Sequence, residues 1–183
     1  TRYWRDWSSD VCSSDLTMRT FPWVWRDKVA LIGDAAHAIV PFYGQGMNCG
    51  FEDCVTFAES LDRHPNDWTA ALDEYQRTRK PNADAIAQLA INNFVEMRDK
   101  VADAAFLLRK KIEAMMHKEF PALYVPQYTL VSFSPDVPYA DAYNRGFTND
   151  ALLNTIMGWP NIEQNWDSAD VRARIADMLH ATA

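Results

Sequence analysis

The stretch "LIGDAAHAIVPFYGQGMNCGFEDC", Leu31 to Cys54, holds four of the six glycines of the chain, Gly33, Gly44, Gly46 and Gly50, within eighteen residues that also carry an aspartate and a histidine. Glycine adds backbone entropy to the unfolded state and lets the folded backbone approach a ligand closely, so the clustering needs a local cause. Just upstream, "MRTFPWVW" is aromatic and β-prone, and Pro22 confines it to an edge position or a strand start. After the polar turn "RDK", Val29 to Ile32 run apolar without alternation and stop at Gly33, the pattern of a strand buried on both faces. From Met47 the pattern turns helical, with Phe51, Cys54, Val55, Ala58 and Leu61 as the apolar stripe and "RHPND" as the stop. The stretch therefore reads as strand, loop and helix, and sets an α/β expectation for the chain, mainly helical with a few strands.

Outward from it, a helix is expected from Trp68 to about Arg79, with Leu72 and Tyr75 on one face and Asn66 and Asp67 as capping candidates. Pro81 is expected to break and restart it, and the helix-forming run to Phe120 is long enough for one bent helix or two, closed by Pro121 and Pro126. "QYTLVSFS" reads as extended, and residues 135–183 as loops and short helices, with Asp177 and His180 near an amphipathic end. The opening "TRYWRDWSSDVCSSDL" repeats Ser-Ser-Asp at residues 8–10 and 13–15 without helical or strand periodicity. It resembles translated adapter sequence, so residues 1–16 are set aside as a non-native segment.

Composition narrows the partners. A chain of 183 residues with 48% hydrophobic content can form a domain with a real core, and a net charge of −7 disfavours a bulk electrostatic attraction to nucleic acid or anionic membrane. A small molecule is the expected partner. Three cysteines, Cys12, Cys49 and Cys54, give no CxxC pair, hence neither a disulfide framework nor a zinc site. No apolar run reaches the roughly 20 residues of a membrane helix, and the expected compartment is the cytoplasm.

Several residues could carry chemistry. Asp34 stands where a buried strand ends, the position at which open α/β sheets present groups to ligands; equally it could cap the short stretch "AAHAI". Ten residues on, "GQGMNCG" exposes backbone N–H groups where a helix begins, and helix-end amides with their dipole suit an anionic or electron-rich ligand. Its GxGxxxG spacing after "PFY" is not a dinucleotide fingerprint, and a glycine-rich helix entry without a ligand is the alternative. Asn93 falls inside the stripe Ile86, Leu89, Ala90 and Met97, where a buried amide is either bonded within the protein or turned to a polar ligand. Tyr128, on residue type alone, reads as a core tyrosine bonded to backbone. His37 lacks a nucleophile and an orienting group, which points to a structural or cofactor-proximal histidine and not a catalytic base. Glu96 either lines the surroundings of Asn93 or faces solvent, and Arg109 to Lys111 read as wet surface. Cys49 and Cys54 are five apart on a helix, on different faces, without metal geometry. No side chain is assigned a catalytic role.

"KVALIGDAAHAIVPFYGQGMNCGFEDC" resembles the second flavin-binding motif of the class A flavoprotein aromatic hydroxylases, and "NNFVEMR" and "QYTLVSFS" follow in the order and spacing of the branch that acts on kynurenine. The resemblance spans about Thr17 to Ser134. It implies that Asp34 binds FAD, that Gly46, Met47 and Asn48 meet the flavin at the helix start, and that Phe42 and Tyr43 flank flavin and substrate, with Asn93 and Tyr128 holding the amino-acid end of the substrate. It implies residues 17–62 as part of an FAD-binding domain, 63–134 as a helical and extended region contributing to the substrate pocket, and 135–183 as a tail. The implied activity is an FAD-dependent, NADPH-using monooxygenase that converts L-kynurenine and O2 to 3-hydroxykynurenine in tryptophan catabolism. No GxGxxG follows an N-terminal strand here, so the chain is expected to be a C-terminal portion that needs an N-terminal half and binds FAD weakly or not at all alone. The alternatives are a class A hydroxylase acting on a phenol, and a non-catalytic interaction protein that offers the Ile86 to Met97 stripe to a partner helix.

Overall fold

The computed structural model describes residues 16–100 and 102–182, so the segment expected to be non-native lies, apart from Leu16, outside the described residues. The chain divides into two compact units, one through Phe94 and one from Val95 onward.

In the first unit, β1 (Val24–Trp25) and β2 (Val29–Ala30) form an antiparallel hairpin, with Val24 opposite Ala30 and Trp25 opposite Val29. The strand expected over Val29 to Ile32 is thus shorter and not buried on both faces: Val29 is 49% exposed, because β2 pairs with β1 alone among the described residues. Short 3-10 turns follow at Gly33–Ala35 and Pro41–Tyr43, then α1 (Gly46–Arg63) and α2 (Trp68–Asp99). Residues 18 to 20 run beside 36 to 38, through Met18 N–H to the Ala38 carbonyl at 2.8 Å and Thr20 N–H to the Ala36 carbonyl at 3.2 Å. Asp67 accepts the Ala70 amide at 2.9 Å, the capping bond expected of it at the start of α2.

The break expected at Pro81 does not occur, since Pro81 sits inside α2. Proline removes one amide and crowds the preceding turn. Here it lies on the exposed side of the helix, where water can solvate the carbonyl it orphans, while Ala83, Ala85, Ile86, Ala87, Leu89 and Ala90 hold the other side in the core. Because Ile86, Leu89 and Ala90 are at most 1% exposed, the stripe that an interaction protein would offer to a partner helix is already packed, and only Met97, at 56%, leaves it. The core is closed by Trp23 and Tyr75, each at most 1% exposed. The Trp23 indole donates to the Thr20 carbonyl at 2.9 Å, and the Tyr75 hydroxyl to the Leu31 carbonyl at 3.0 Å.

The face of α1 is a second correction. The stripe expected to be buried is outside: Phe51 is 62% and Val55 58% exposed, whereas Cys49, Asp53 and Ser60 are buried. Hydropathy selects the wrong face because what lies beneath α1 is a charged cluster that the carboxylate of Asp53 satisfies.

The second unit is built from α3 (Ala104–Glu119), α4 (Gln127–Phe133), α5 (Tyr139–Met157), α6 (Ile162–Asn165) and α7 (Ala169–Thr182). Its core gathers Ile112, Met115 and Met116 of α3, Leu153 and Ile156 of α5, Ile162 of α6, Ile175 and Leu179 of α7, and Tyr124 of the turn after α3. "QYTLVSF", expected extended, is helical, since Leu130 and Val131 are buried against a neighbour that overrides β propensity. The region from residue 135, expected as loops and short helices, carries a helix of 19 residues. Gly146 in its middle weakens local propensity but admits α4: a Cβ there would lie 1.7 Å from Gln127 Nε2, which donates to the Ala142 carbonyl at 3.3 Å. No described helix is long and apolar enough to cross a membrane.

Candidate functional site

The Gly33 turn is made possible by one conformation. Gly33 has φ +61°, in the left-handed region that costs a side-chain-bearing residue, and its carbonyl accepts the amides of Ala36 and His37 at 2.8 and 2.9 Å. This puts Asp34 on the outside of the turn, exposed and without an ion pair or hydrogen bond among the described residues. The turn lies close against α1, since a Cβ on Gly50 would come within 3.7 Å of the Gly33 Cα.

Beneath it lies a buried charge cluster. Asp53, fully buried, accepts the Gly33 amide on Oδ2 at 3.0 Å, and the same oxygen meets His37 Nε2 at 2.5 Å. Its Oδ1 accepts Arg79 Nε at 2.7 Å. Arg79, 4% exposed on α2, reaches further to Glu52 at 2.8 Å and to the Cys49 carbonyl at 3.1 Å and Sγ at 3.3 Å. Burial alone would disfavour charge on His37, but its bond to Asp53, helped by Cys49, outweighs this and pushes the imidazole up to about 10. Burial likewise opposes charge on Asp53, and the bonds from His37, Arg79 and the Gly33 amide override it and hold the carboxyl below its ordinary range. His37, Cys49 and Asp53 place potential ligand atoms within 4.8 Å of one another, yet the guanidinium of Arg79 already stands against both the carboxylate and the sulfur. The cations that meet the Asp53 carboxylate are the guanidinium of Arg79 and the imidazolium of His37.

The approach to α1 is the second part of the site. Pro41–Tyr43 turn once, and Gly44, at φ +68°, reverses the chain into Gln45, which caps the helix without a side-chain bond. The first-turn amides of Gly46, Met47 and Asn48 therefore have no acceptor within the helix, no acidic residue stands among them, and Met47 is 71% exposed. The Asn48 side chain turns back to Gln45 Oε1 at 2.7 Å. Phe42 stacks on Phe94 with ring centroids 4.5 Å apart, and its carbonyl accepts Asn93 Nδ2 at 2.6 Å. Asn93 thus has the internal partner that spacing alone allowed, and it ties α2 to the segment carrying Phe42 and Tyr43.

Asp34, Phe42, Tyr43, Gly46, Met47, Asn48 and Asn93 all lie in the first unit. Tyr128 lies in the second, on α4, 53% exposed and edge-on to Phe133 at 6.2 Å, so it is not the core tyrosine its residue type implied. Sequence reasoning does not single out Asp53 and Arg79. Charged residues are ordinarily surface residues, and the available signal was the polar stripe Cys49, Asp53 and Ser60 at helical spacing inside the glycine-rich stretch.

A family model described as an FAD binding domain matches residues 13–90. Curated kynurenine 3-monooxygenases match nearly the whole chain: that of Christiangramia forsetii is 45% identical over 96% of this chain and 39% of its own length. By sequence, the chain is similar to kynurenine 3-monooxygenases over most of its length. That of Cytophaga hutchinsonii is 51% identical over 79% of this chain and 32% of its own length, and that of Dictyostelium discoideum 43% identical over 95% and 40%. The chain spans about two fifths of the length of these kynurenine 3-monooxygenases, and the FAD model covers the hairpin, the Gly33 turn, all of α1 and α2 through Ala90.

Proposed function

We propose that this chain forms part of the flavin and substrate sites of an FAD-dependent monooxygenase that hydroxylates L-kynurenine to 3-hydroxykynurenine, with NADPH and O2 as co-substrates. The observation that carries the reading is the close approach of Gly33 to Gly50: it sets the unpartnered Asp34 carboxylate beside the helix whose first-turn amides are open. An acceptor next to a row of donors suits a ligand with hydroxyls on one side and carbonyl or anionic acceptors on the other, and FAD offers both in its ribityl chain and isoalloxazine ring. The donor set fits the group. The strands and helices then belong to the FAD-binding and substrate domains of a class A hydroxylase, working in the cytoplasm.

Bound FAD would supply the redox chemistry, passing two electrons from NADPH to O2 so that one oxygen atom enters the substrate and the other leaves as water. The residues of this chain orient and enclose. Asp34 accepts hydrogen bonds from ribityl-side hydroxyls, and the amides of Gly46, Met47 and Asn48, at the positive end of α1, stabilise negative charge that develops on the ring. Phe42, held by Phe94, and Tyr43 keep water from the reacting edge. Asn93, through its bond to the Phe42 carbonyl, keeps the segment carrying Phe42 and Tyr43 in place.

In the full-length flavoprotein carrying this chain, Asp34→Ala is expected to weaken FAD binding at least roughly tenfold, the value of one hydrogen bond to a charged acceptor. The thermal midpoint of the apoprotein should be unchanged, since Asp34 holds nothing in the fold. Flavin-fluorescence titration reads the affinity, and wild-type affinity in the variant would overturn the reading.

A further inference from the structure

The cluster under the Gly33 turn has a member that touches neither the turn nor any atom proposed to meet the cofactor. Arg79 stands on α2, yet four of its contacts fall on residues 49 to 53 of α1: the Cys49 carbonyl and Sγ, Glu52 and Asp53. One planar guanidinium therefore spans the second turn of α1 and holds Oδ1 of Asp53, leaving Oδ2 to take the Gly33 amide and His37. We infer that Arg79 is a positioning residue for the cofactor-facing turn, acting through the carboxylate of Asp53 to fix the Gly33 peptide and so the place of Asp34. The inference rests on the reading that Asp34 meets FAD.

The geometry gives this chain of contacts little freedom. Gly33 is held through both of its backbone groups, its N–H by Asp53 and its carbonyl by the amides of Ala36 and His37. A residue with φ +61° keeps that conformation only while its neighbours define it. If the carboxylate rotates, the N–H loses its acceptor and the turn is anchored through its carbonyl alone. Arg79 holds Oδ1, and without it the carboxylate keeps only the contacts on Oδ2, about which it can turn. The groups facing His37 are Cys49 and Asp53 of α1, with Arg79 of α2 beyond them and the Trp23 ring 5.3 Å away. All are buried, so solvent cannot take the place of a missing partner. Lysine would retain the charge but not the fork that reaches Asp53, Glu52 and Cys49 together.

The test uses the full-length flavoprotein with Arg79→Gln, Arg79→Lys and, as reference, Asp34→Ala. Arg79→Gln is expected to raise the Kd for FAD roughly 10- to 100-fold, the range for losing a group that orients a binding residue, and Arg79→Lys by less. At saturating FAD the KM for kynurenine should stay at its wild-type value, because Arg79 acts on the flavin-side turn. Hydrogen exchange at the Gly33 amide should accelerate in both Arg79 variants while that at Ile86 and Leu89 does not. If Asp34→Ala weakens FAD and the folded Arg79 variants bind it as tightly as wild type, the inference falls and the reading of the site stands. If Asp34→Ala leaves FAD binding intact, the reading itself has failed. Should Arg79→Lys, which keeps the charge, lose the cooperative unfolding of the apoprotein, Arg79 is a stabilising element of the whole unit and the positioning role is overturned.

Discussion

Replacing Asp53 by alanine is expected to destabilise the first unit by about 3–5 kcal/mol, the usual cost of removing one partner from a buried ion pair. The magnitude follows from what would remain. His37, at 2% exposure, would lose its counter-charge, Arg79, at 4%, would keep only Glu52, and the Gly33 amide would lose its acceptor. His37 can shed its proton and become a neutral imidazole, but Arg79 cannot, and Glu52, itself on an exposed stretch of α1, reaches only one of its nitrogens. Asp53→Asn keeps the shape and one acceptor, so its cost should be smaller. Urea denaturation read by hydrogen exchange at amides of α1 and α2 measures both variants, and an Asp53→Ala protein within 1 kcal/mol of wild type would show that the cluster is not held as a unit.

The same cluster makes stability depend on pH in a defined sense. The folded value of His37, about 10, lies above its ordinary 6.5, so its contribution is complete below about 6.5 and fades as pH rises from there through 10. Between those limits one proton separates the two states, and stability should fall by about 1.4 kcal/mol per pH unit. Asp53 works in the opposite direction: its folded value lies below the ordinary 3.8, so its contribution is complete above 3.8 and is lost as pH falls through the lower folded value. The first unit should accordingly be most stable between about pH 4 and 6.5. Denaturant midpoints at pH 6, 8 and 9.5 are expected to decline in that order, and His37→Gln is expected to flatten the decline. A wild-type profile that stays level to pH 9.5 would mean that His37 is neutral in the native state.

Much of the site was legible because its ingredients are backbone features that glycine marks in the sequence. Gly33 and Gly44 do take positive φ, and α1 does begin at Gly46. What hydropathy misjudged was facing. Phe51 and Val55 were placed inside because apolar residues at helical spacing are usually core, whereas Asp53 is what this helix buries. Nothing local in "GFEDC" or "RTRK" shows that Asp53 and Arg79 meet across 26 residues, since pairing of charges is a tertiary fact. Pro81 and "QYTLVSF" depart from expectation for a related reason: local preferences of about 1 to 3 kcal/mol yield where the buried side of a helix is well packed. Asn93 follows Ile86, Leu89 and Ala90 along α2, and spacing alone cannot choose its bond to the Phe42 carbonyl over a ligand.

The central claim is that the carboxylate of Asp34 and the first-turn amides of α1 converge on one molecule of FAD. Titrating the isotopically labelled full-length apoprotein with FAD, and following the amide resonances of Asp34, Gly46, Met47 and Asn48, tests it most directly. All four are expected to move along a single saturation curve. Saturation of the Gly46 to Asn48 signals with Asp34 unaffected, or the reverse, would contradict it.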